Sequence, residues 1–250
     1  MRILFVSDIH YSLKQLDWLC GAAPGFDLLV IGGDLLDLAG HADLDTQTVV
    51  VEKYLRRLGV MVPVAVCSGN HDLDAVSGEG ERTAEWLVHL DANRVSVDLQ
   101  SLVAGGCQFS ICSWWDGPHT RDEVAAFLAG EAEKKGRPWI WIYHAPPDGA
   151  KTSWNGKNYS GDTFLTGLIR QYAPDLVLSG HIHNSPFRVE GHWCDKVDNT
   201  WVFNPGRQMS STPATIVFDL NAMEATWDSE MDTQTVTLSG GGPIQGPGSG

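Results

Sequence analysis

Five short fragments of the 250-residue chain combine residue types that hold metal ions: Asp8-Ile9-His10, Gly32-Gly33-Asp34, Gly69-Asn70-His71-Asp72, His144-Ala145-Pro146 and Gly180-His181-Ile182-His183. Each follows directly on a short apolar run. One such fragment is commonplace, because Asp-x-His arises by chance and a histidine after a strand is usually a hydrogen-bonded loop residue. Five together, each at the end of its own buried segment, point to a single site. Carboxylate oxygens, imidazole nitrogens and one amide oxygen form a borderline-hard donor set suited to Mn, Fe, Co or Zn. Asp8, His10, Asp34, Asn70, His144, His181 and His183 are too many ligands for one ion and suit two. Asp34 is the natural bridge, since a carboxylate has two oxygens to share. Glycines at 33, 69 and 180 let the backbone turn sharply beside these donors. The five cysteines (Cys20, Cys67, Cys107, Cys112 and Cys194) are scattered and odd in number, so they make neither a disulfide framework nor a closed structural zinc site.

The elements that must position these fragments are legible from periodicity. Residues 3–6, 28–31, 62–66, 139–143 and 176–178 are nearly all apolar and predict buried strands. Between them, 13–22, 46–58, 81–90, 121–135 and 163–172 carry helical spacing, with Gly136 and Pro174 where helix ends are expected. This alternation implies parallel strands joined by crossover helices, with the five fragments gathered at one carboxyl edge of a parallel sheet, where sites form in open α/β sheets. Residues 95–113, with Gly105-Gly106 between apolar stretches, predict a β-hairpin. Beyond Gly180 the pattern turns to strands at 187–190, 200–203, 215–220 and 224–227. The expectation is therefore an α/β (α+β) fold of two mixed sheets flanked by helices, formed by residues 1–238. Residues 239–250 are almost all Gly, Pro and Ser and predict a flexible tail.

As a set and in this order, the series resembles the calcineurin-like metallophosphoesterase superfamily over roughly residues 1–206, including Asn204-Pro205-Gly206 after a late strand. The resemblance implies two stacked mixed sheets between helix layers. It also implies a first metal on Asp8, His10, Asp34 and His183, and a second on Asp34, Asn70, His144 and His181. His71 would face the leaving group or a phosphoryl oxygen, with Asp72 orienting it by a hydrogen bond. The activity implied is in-line attack of a metal-bridging hydroxide on a small phosphodiester or phosphomonoester, with cyclic-nucleotide-type esters among the candidates. Departures narrow the subgroup. The family's protein phosphatases carry an Arg after the bridging-Asp block and a Glu after the Asn-His pair; here Leu38 and Asp72 stand there. Purple acid phosphatases place a tyrosine three residues after the bridging Asp, where this chain has Asp37. Small, cap-less bacterial-type phosphoesterases and cyclic-nucleotide-type phosphodiesterases are the nearest resemblance.

Other residues are read against plainer roles. Trp114 and Trp115 either wall the site or pack, one in the core and one over it; Trp115 and His119 are candidate substrate contacts. Arg207, just past Asn204-Pro205-Gly206, is a candidate phosphate contact. Residues 150–162 form a long polar loop, either a lid or solvated. His41, His89 and His192 have no ligand neighbours, Cys67 is core packing, and the acidic run at Asp43, Asp45 and Glu52 caps and solvates a helix. The net charge of −14 repels nucleic-acid polymers and anionic membranes unless bound cations reverse the local sign. No apolar run is long enough to span a membrane, and the reduced cysteines point to the cytoplasm. A nuclease, or a non-catalytic scaffold that binds a protein partner, are the rival functions.

Overall fold

Two kinds of apolar run organise the chain: strands buried on both faces, and helices with one apolar stripe. The computed structural model describes residues 1–134 and 138–238; Lys135, Gly136 and the whole 239–250 tail lie outside the described residues. The first half runs β1 (Arg2–Val6), α1 (Leu13–Ala22), β2 (Leu28–Ile31), α2 (Leu44–Met61) and β3 (Val64–Val66). A small ribbon follows, β4 (Ala75–Val76) with β5 (Arg82–Thr83), then α3 (Glu85–Val88) and β6 (Val95–Ser96). Next come β7 (Ser101–Ala104), β8 (Cys107–Ile111), α4 (Pro118–Ala132), β9 (Trp139–Ile142), α5 (Thr163–Tyr172) and β10 (Leu176–Leu178). The remainder is strand: β11 (Cys194–Val197), β12 (Thr200–Phe203), β13 (Thr215–Asp219), β14 (Glu224–Asp228) and β15 (Thr233–Thr237).

These strands form two large mixed sheets, ordered β15-β14-β13-β1-β2-β3-β6 and β11-β12-β10-β9-β8-β7. Strand alternation sorts the side chains into three cores. Ile3, Phe5, Leu28 and Val30 of the first sheet meet Phe109, Ile140, Ile142 and Leu178 of the second. The opposite face of the first sheet, Leu4, Val6, Leu29 and Ile31, packs on Leu16 and Leu19 of α1 and Val51, Leu55 and Leu58 of α2. On the outer face of the second sheet, Trp139, Trp141 and Val177 cover Val124 and Leu128 of α4 and Leu165 and Ile169 of α5. The molecule is thus a mixed α/β sandwich of four layers: helices, sheet, sheet, helices.

The gathering point differs from a single sheet edge. β1, β2 and β3 run parallel in the first sheet, whereas β9 and β10 run parallel in the second. Their carboxyl ends meet because contacts cross from sheet to sheet there: His181 N–H, past β10, lies 3.1 Å from both oxygens of Asp8, past β1, and His144 Nδ1, past β9, lies 2.6 Å from Gly32 O, past β2.

Four local expectations also change. Helix over 81–90 is confined to Glu85–Val88, because the preceding residues serve neighbours. Glu81 accepts the N–H groups of His119 and Thr120 at the start of α4, and Arg82 pairs with Asp116. No strand forms at 187–190: Pro186, which lacks an N–H, sits in a 3₁₀ turn at Ser185–Phe187, and the strand follows at Cys194–Val197. The hairpin forms around Gly105-Gly106 as β7 and β8, but Val95–Ser96 belongs to the other sheet, beside β3. Helix α2 begins at Leu44, with Asp43 accepting Thr46 N–H at 2.8 Å as its N-cap.

Candidate metal centre

The donor residues sit where strands break. Asp8, His10, Asp34 and His181 all adopt left-handed backbone (φ between 44° and 66°), a conformation that side chains adopt at a cost and that sharply re-aims them. Neighbouring glycines make room. A Cβ at Gly33, itself at φ +91°, would lie 2.7 Å from His144 Nδ1, and one at Gly180 would meet Ser7 Oγ and Asp8 Oδ2. The 180–183 turn is clamped by Asn204, whose amide nitrogen donates to the carbonyls of Gly180, Ile182 and Thr152.

Six of the seven expected donors come together. Asp8, His10, Asp34 and His183 form one group whose potential ligand atoms all lie within 4.8 Å of one another, and Asp34, His144 and His181 form a second, sharing Asp34. His10 Nε2 stands 3.1 Å from His183 Nε2, and His183 Nε2 is 3.2 Å from Asp8 Oδ1. Two imidazole nitrogens directed at each other among carboxylates are the arrangement a cation would occupy. The second group carries the same signature. Asn70 Oδ1 is buried with no hydrogen-bond partner, and His144 Nε2, 3.1 Å from Asp34 Oδ2, has no bond of good geometry. A buried acceptor left unpaired, as Asn70 Oδ1 is, is rare unless a ligand completes it. The donors therefore fit cations, with O and N atoms of the types that transition metals accept.

Asp34 is shared through one oxygen rather than two. Oδ2 lies 3.1 Å from His144 Nε2 and 3.5 Å from His10 Nε2, while Oδ1 accepts the backbone N–H of His71 at 2.9 Å. Burial opposes charge throughout the centre, and the opposed charges counter it. Burial would raise the Asp8 carboxyl, but the hydrogen bond from His183 and the nearby imidazoles hold it well below the usual range. Asp34, likewise buried, is held low by His144. Burial pushes His10 and His181 down to about 4, so both rings are neutral and free to coordinate at neutral pH. His144 goes the other way, up to about 9, because the Asp34 carboxylate beside it outweighs the cost of burial.

His71 stands beside the first group, its ring 4.5 Å from that of His10 and nearly perpendicular to it. Asp72 does not orient it. The Asp72 oxygens accept the N–H groups of Leu35, Leu36 and Gly69 (2.8–2.9 Å), tying the Asp34 turn to the Asn70 turn. Three converging amides leave that carboxylate facing backbone, not the imidazole. The carboxylate near His71 is Asp37, grouped within 4.8 Å of ring nitrogens of His71 and His10. The Leu38 N–H points to His71 Nδ1 at 3.3 Å, which leaves Nε2 to carry the proton in the neutral ring. Sequence reasoning met Asp37 only as the residue standing where a tyrosine would bind iron.

The outlying candidates separate. Trp115 stacks on Tyr143 at 3.9 Å and abuts Phe164, which is packing. Trp114 is the tryptophan beside the donors, with ring centroids 5.3 Å from His181 and 5.7 Å from His144. His119 is at the surface between Glu79 (3.7 Å) and Glu123 (3.4 Å), engaged with carboxylates. Arg207 donates its N–H to His183 O at 3.1 Å, and its charge contributes to the low value of His10. The base of the 150–162 loop is fixed, since Ser185 Oγ donates to Lys151 O at 2.6 Å and Trp154 pairs with Tyr159.

Comparison with known proteins agrees with this geometry. No curated protein matches the chain. The structure is similar to that of TT1561 of Thermus thermophilus, with a TM-score of 0.59 and 18% identity over 95% of this chain and 98% of that one. It is similar, too, to purple acid phosphatase PPD1 from yellow lupin (Lupinus luteus), with a TM-score of 0.57 and 15% identity over 95% of this chain and 53% of that one. Identities this low establish a shared fold alone. Residues 1–185 match the Metallophos family, calcineurin-like phosphoesterase, and on that match the chain belongs to the calcineurin-like phosphoesterase family.

Proposed function

We propose that the protein hydrolyses small phosphoric esters, diesters or monoesters, with two transition-metal cations held on either side of Asp34. The observation that carries this reading is the pair of donor groups sharing one carboxylate, with His71 beside them and free at Nε2. The chemistry such cations supply when bound is Lewis acidity toward phosphoryl oxygens and acidification of water.

The chain's own residues do the rest. Asp8, His10 and His183 would hold one cation and Asn70, His144 and His181 the other, with Asp34 common to both. Arg207 lies beside the His183 turn and neutralises a phosphoryl oxygen of the substrate. Water adds to phosphorus as the bond to the leaving oxygen breaks; the proton released by that water ends on the leaving oxygen, toward which His71 donates a hydrogen bond from Nε2–H. Asp37 stands beside His71 on the side of the first donor group.

Partners follow from charge. A chain of net charge −14 whose cations create one local positive centre favours a small anionic ester over a polyanion. Among the described residues no helix is long and apolar enough to cross a membrane. All five cysteines are buried and form no disulfide, as fits a reducing compartment such as the cytoplasm.

The test is elemental analysis of the purified protein together with hydrolysis of bis-p-nitrophenyl phosphate and p-nitrophenyl phosphate. Two bound cations and turnover of either ester support the reading. Two cations and no turnover would favour a scaffold, and salt-sensitive cleavage of DNA a nuclease.

A further inference from the structure

Away from the donor turns and the amides that Asp72 gathers, a buried carboxylate lies just past β6: Asp98, 5% exposed. Its Oδ1 accepts the backbone N–H of Ser68 at 2.8 Å. Ser68, 1% exposed at the end of β3, in turn accepts the Trp114 N–H on its Oγ at 2.9 Å. Trp114 follows β8 in the other sheet, and its ring lies against His181 and His144. The chain of contacts therefore spans both sheets and ends at two donors of the second group. Its middle member stands two residues before Asn70, the third donor of that group. No contact of the series reaches Asp8, His10 or His183.

We infer that Asp98 and Ser68 are positioning residues for the second cation site alone, fixing Asn70 from one side and, through Trp114, His144 and His181 from the other. This rests on the proposed two-cation reading. Partners that orient metal ligands without touching the ion typically contribute 10–100-fold in metal affinity, and here the effect falls on one ion of the pair. Asp98→Asn keeps an oxygen for the Ser68 N–H, and its amide can donate to Ser68 Oγ. It therefore preserves the arrangement that Asp98→Ala destroys.

The experiment is titration of Mn²⁺ into the metal-free full-length protein, following free Mn²⁺ by electron paramagnetic resonance. Wild type takes up two equivalents. In Ser68→Ala and Asp98→Ala one equivalent weakens about 10–100-fold and the other stays within about threefold, whereas Asp98→Asn resembles wild type. Adding Ser68→Ala to His181→Ala leaves the one remaining equivalent unchanged. If Asp98→Ala does not fold, Ser68→Ala carries the test, since it removes only the hydroxyl. Equal weakening of both equivalents, or of neither, overturns the inference while leaving the two-cation reading intact. Uptake of fewer than two equivalents by wild type overturns both.

Discussion

Oδ2 of Asp34, at the end of a first-sheet strand, stands 3.1 Å from Nε2 of His144, at the end of a second-sheet strand. That contact joins the two sheets at the place where both sets of donors meet. It makes Asp34 the residue on which both proposed cation sites depend. In Asp34→Ala we expect less than one cation per chain by elemental analysis and loss of hydrolysis to background. Retention of two cations would remove Asp34 from the bridging position.

His71 touches the donors, and the proposed function gives it the leaving group rather than a cation, so His71→Ala should keep its cations and lose turnover. A general acid contributes about 10²–10⁴-fold, and most where the leaving group is basic. The loss should therefore be large for an alkyl phosphate ester and smaller for a p-nitrophenyl ester, whose leaving oxygen needs no proton. Equal losses on the two substrates would contradict hydrogen-bond donation from Nε2 to the leaving oxygen.

Cation binding should depend on pH through His144. In the metal-free protein its ring is raised to about 9, so at neutral pH a proton occupies the nitrogen that a cation needs. His10 and His181, pushed down to about 4, are already neutral. Between pH 7 and 9 affinity should rise about tenfold per unit, and loading at pH 7 should release about one proton from His144. Calorimetric titration in two buffers of different ionisation enthalpy measures that proton; its absence would contradict the assignment.

Asp98 offers a separate test on stability. Burial raises its carboxyl to about 6 against an ordinary value of 3.8, with the bonds from Ser68 pulling the other way. Between those values the folded protein binds a proton that the unfolded chain has released. Stability from this group is therefore fully present below about pH 4 and falls as pH rises through 6, by about 3 kcal/mol. Urea unfolding of metal-free wild type and Asp98→Asn from pH 4 to 7 should show a difference that changes with pH in that sense. A difference independent of pH would contradict the buried, protonated carboxyl.

The donors were legible in the sequence because each follows a strand whose apolar run is plain, and because the histidines, carboxylates and amide recur together. What escaped depended on contacts between distant segments. That the donors come from two sheets follows from cross-sheet bonds such as His181 N–H to Asp8, which no periodicity encodes. The short helix after Glu81 lost its first turn because that carboxylate caps α4, some forty residues away in the chain. Asp72 reads as a histidine partner by adjacency, yet three backbone amides claim it. Asp37 lies in a turn after the bridging residue, and only the folded chain places it beside His71.

The most direct test of the centre is a crystal structure of the protein grown with Mn²⁺, using anomalous differences at the metal edge. Two peaks about 3.5–4 Å apart are expected, one among Asp8, His10 and His183, the other among Asn70, His144 and His181, with Asp34 between them. A single peak, or two that do not share Asp34, would contradict a centre built on that carboxylate.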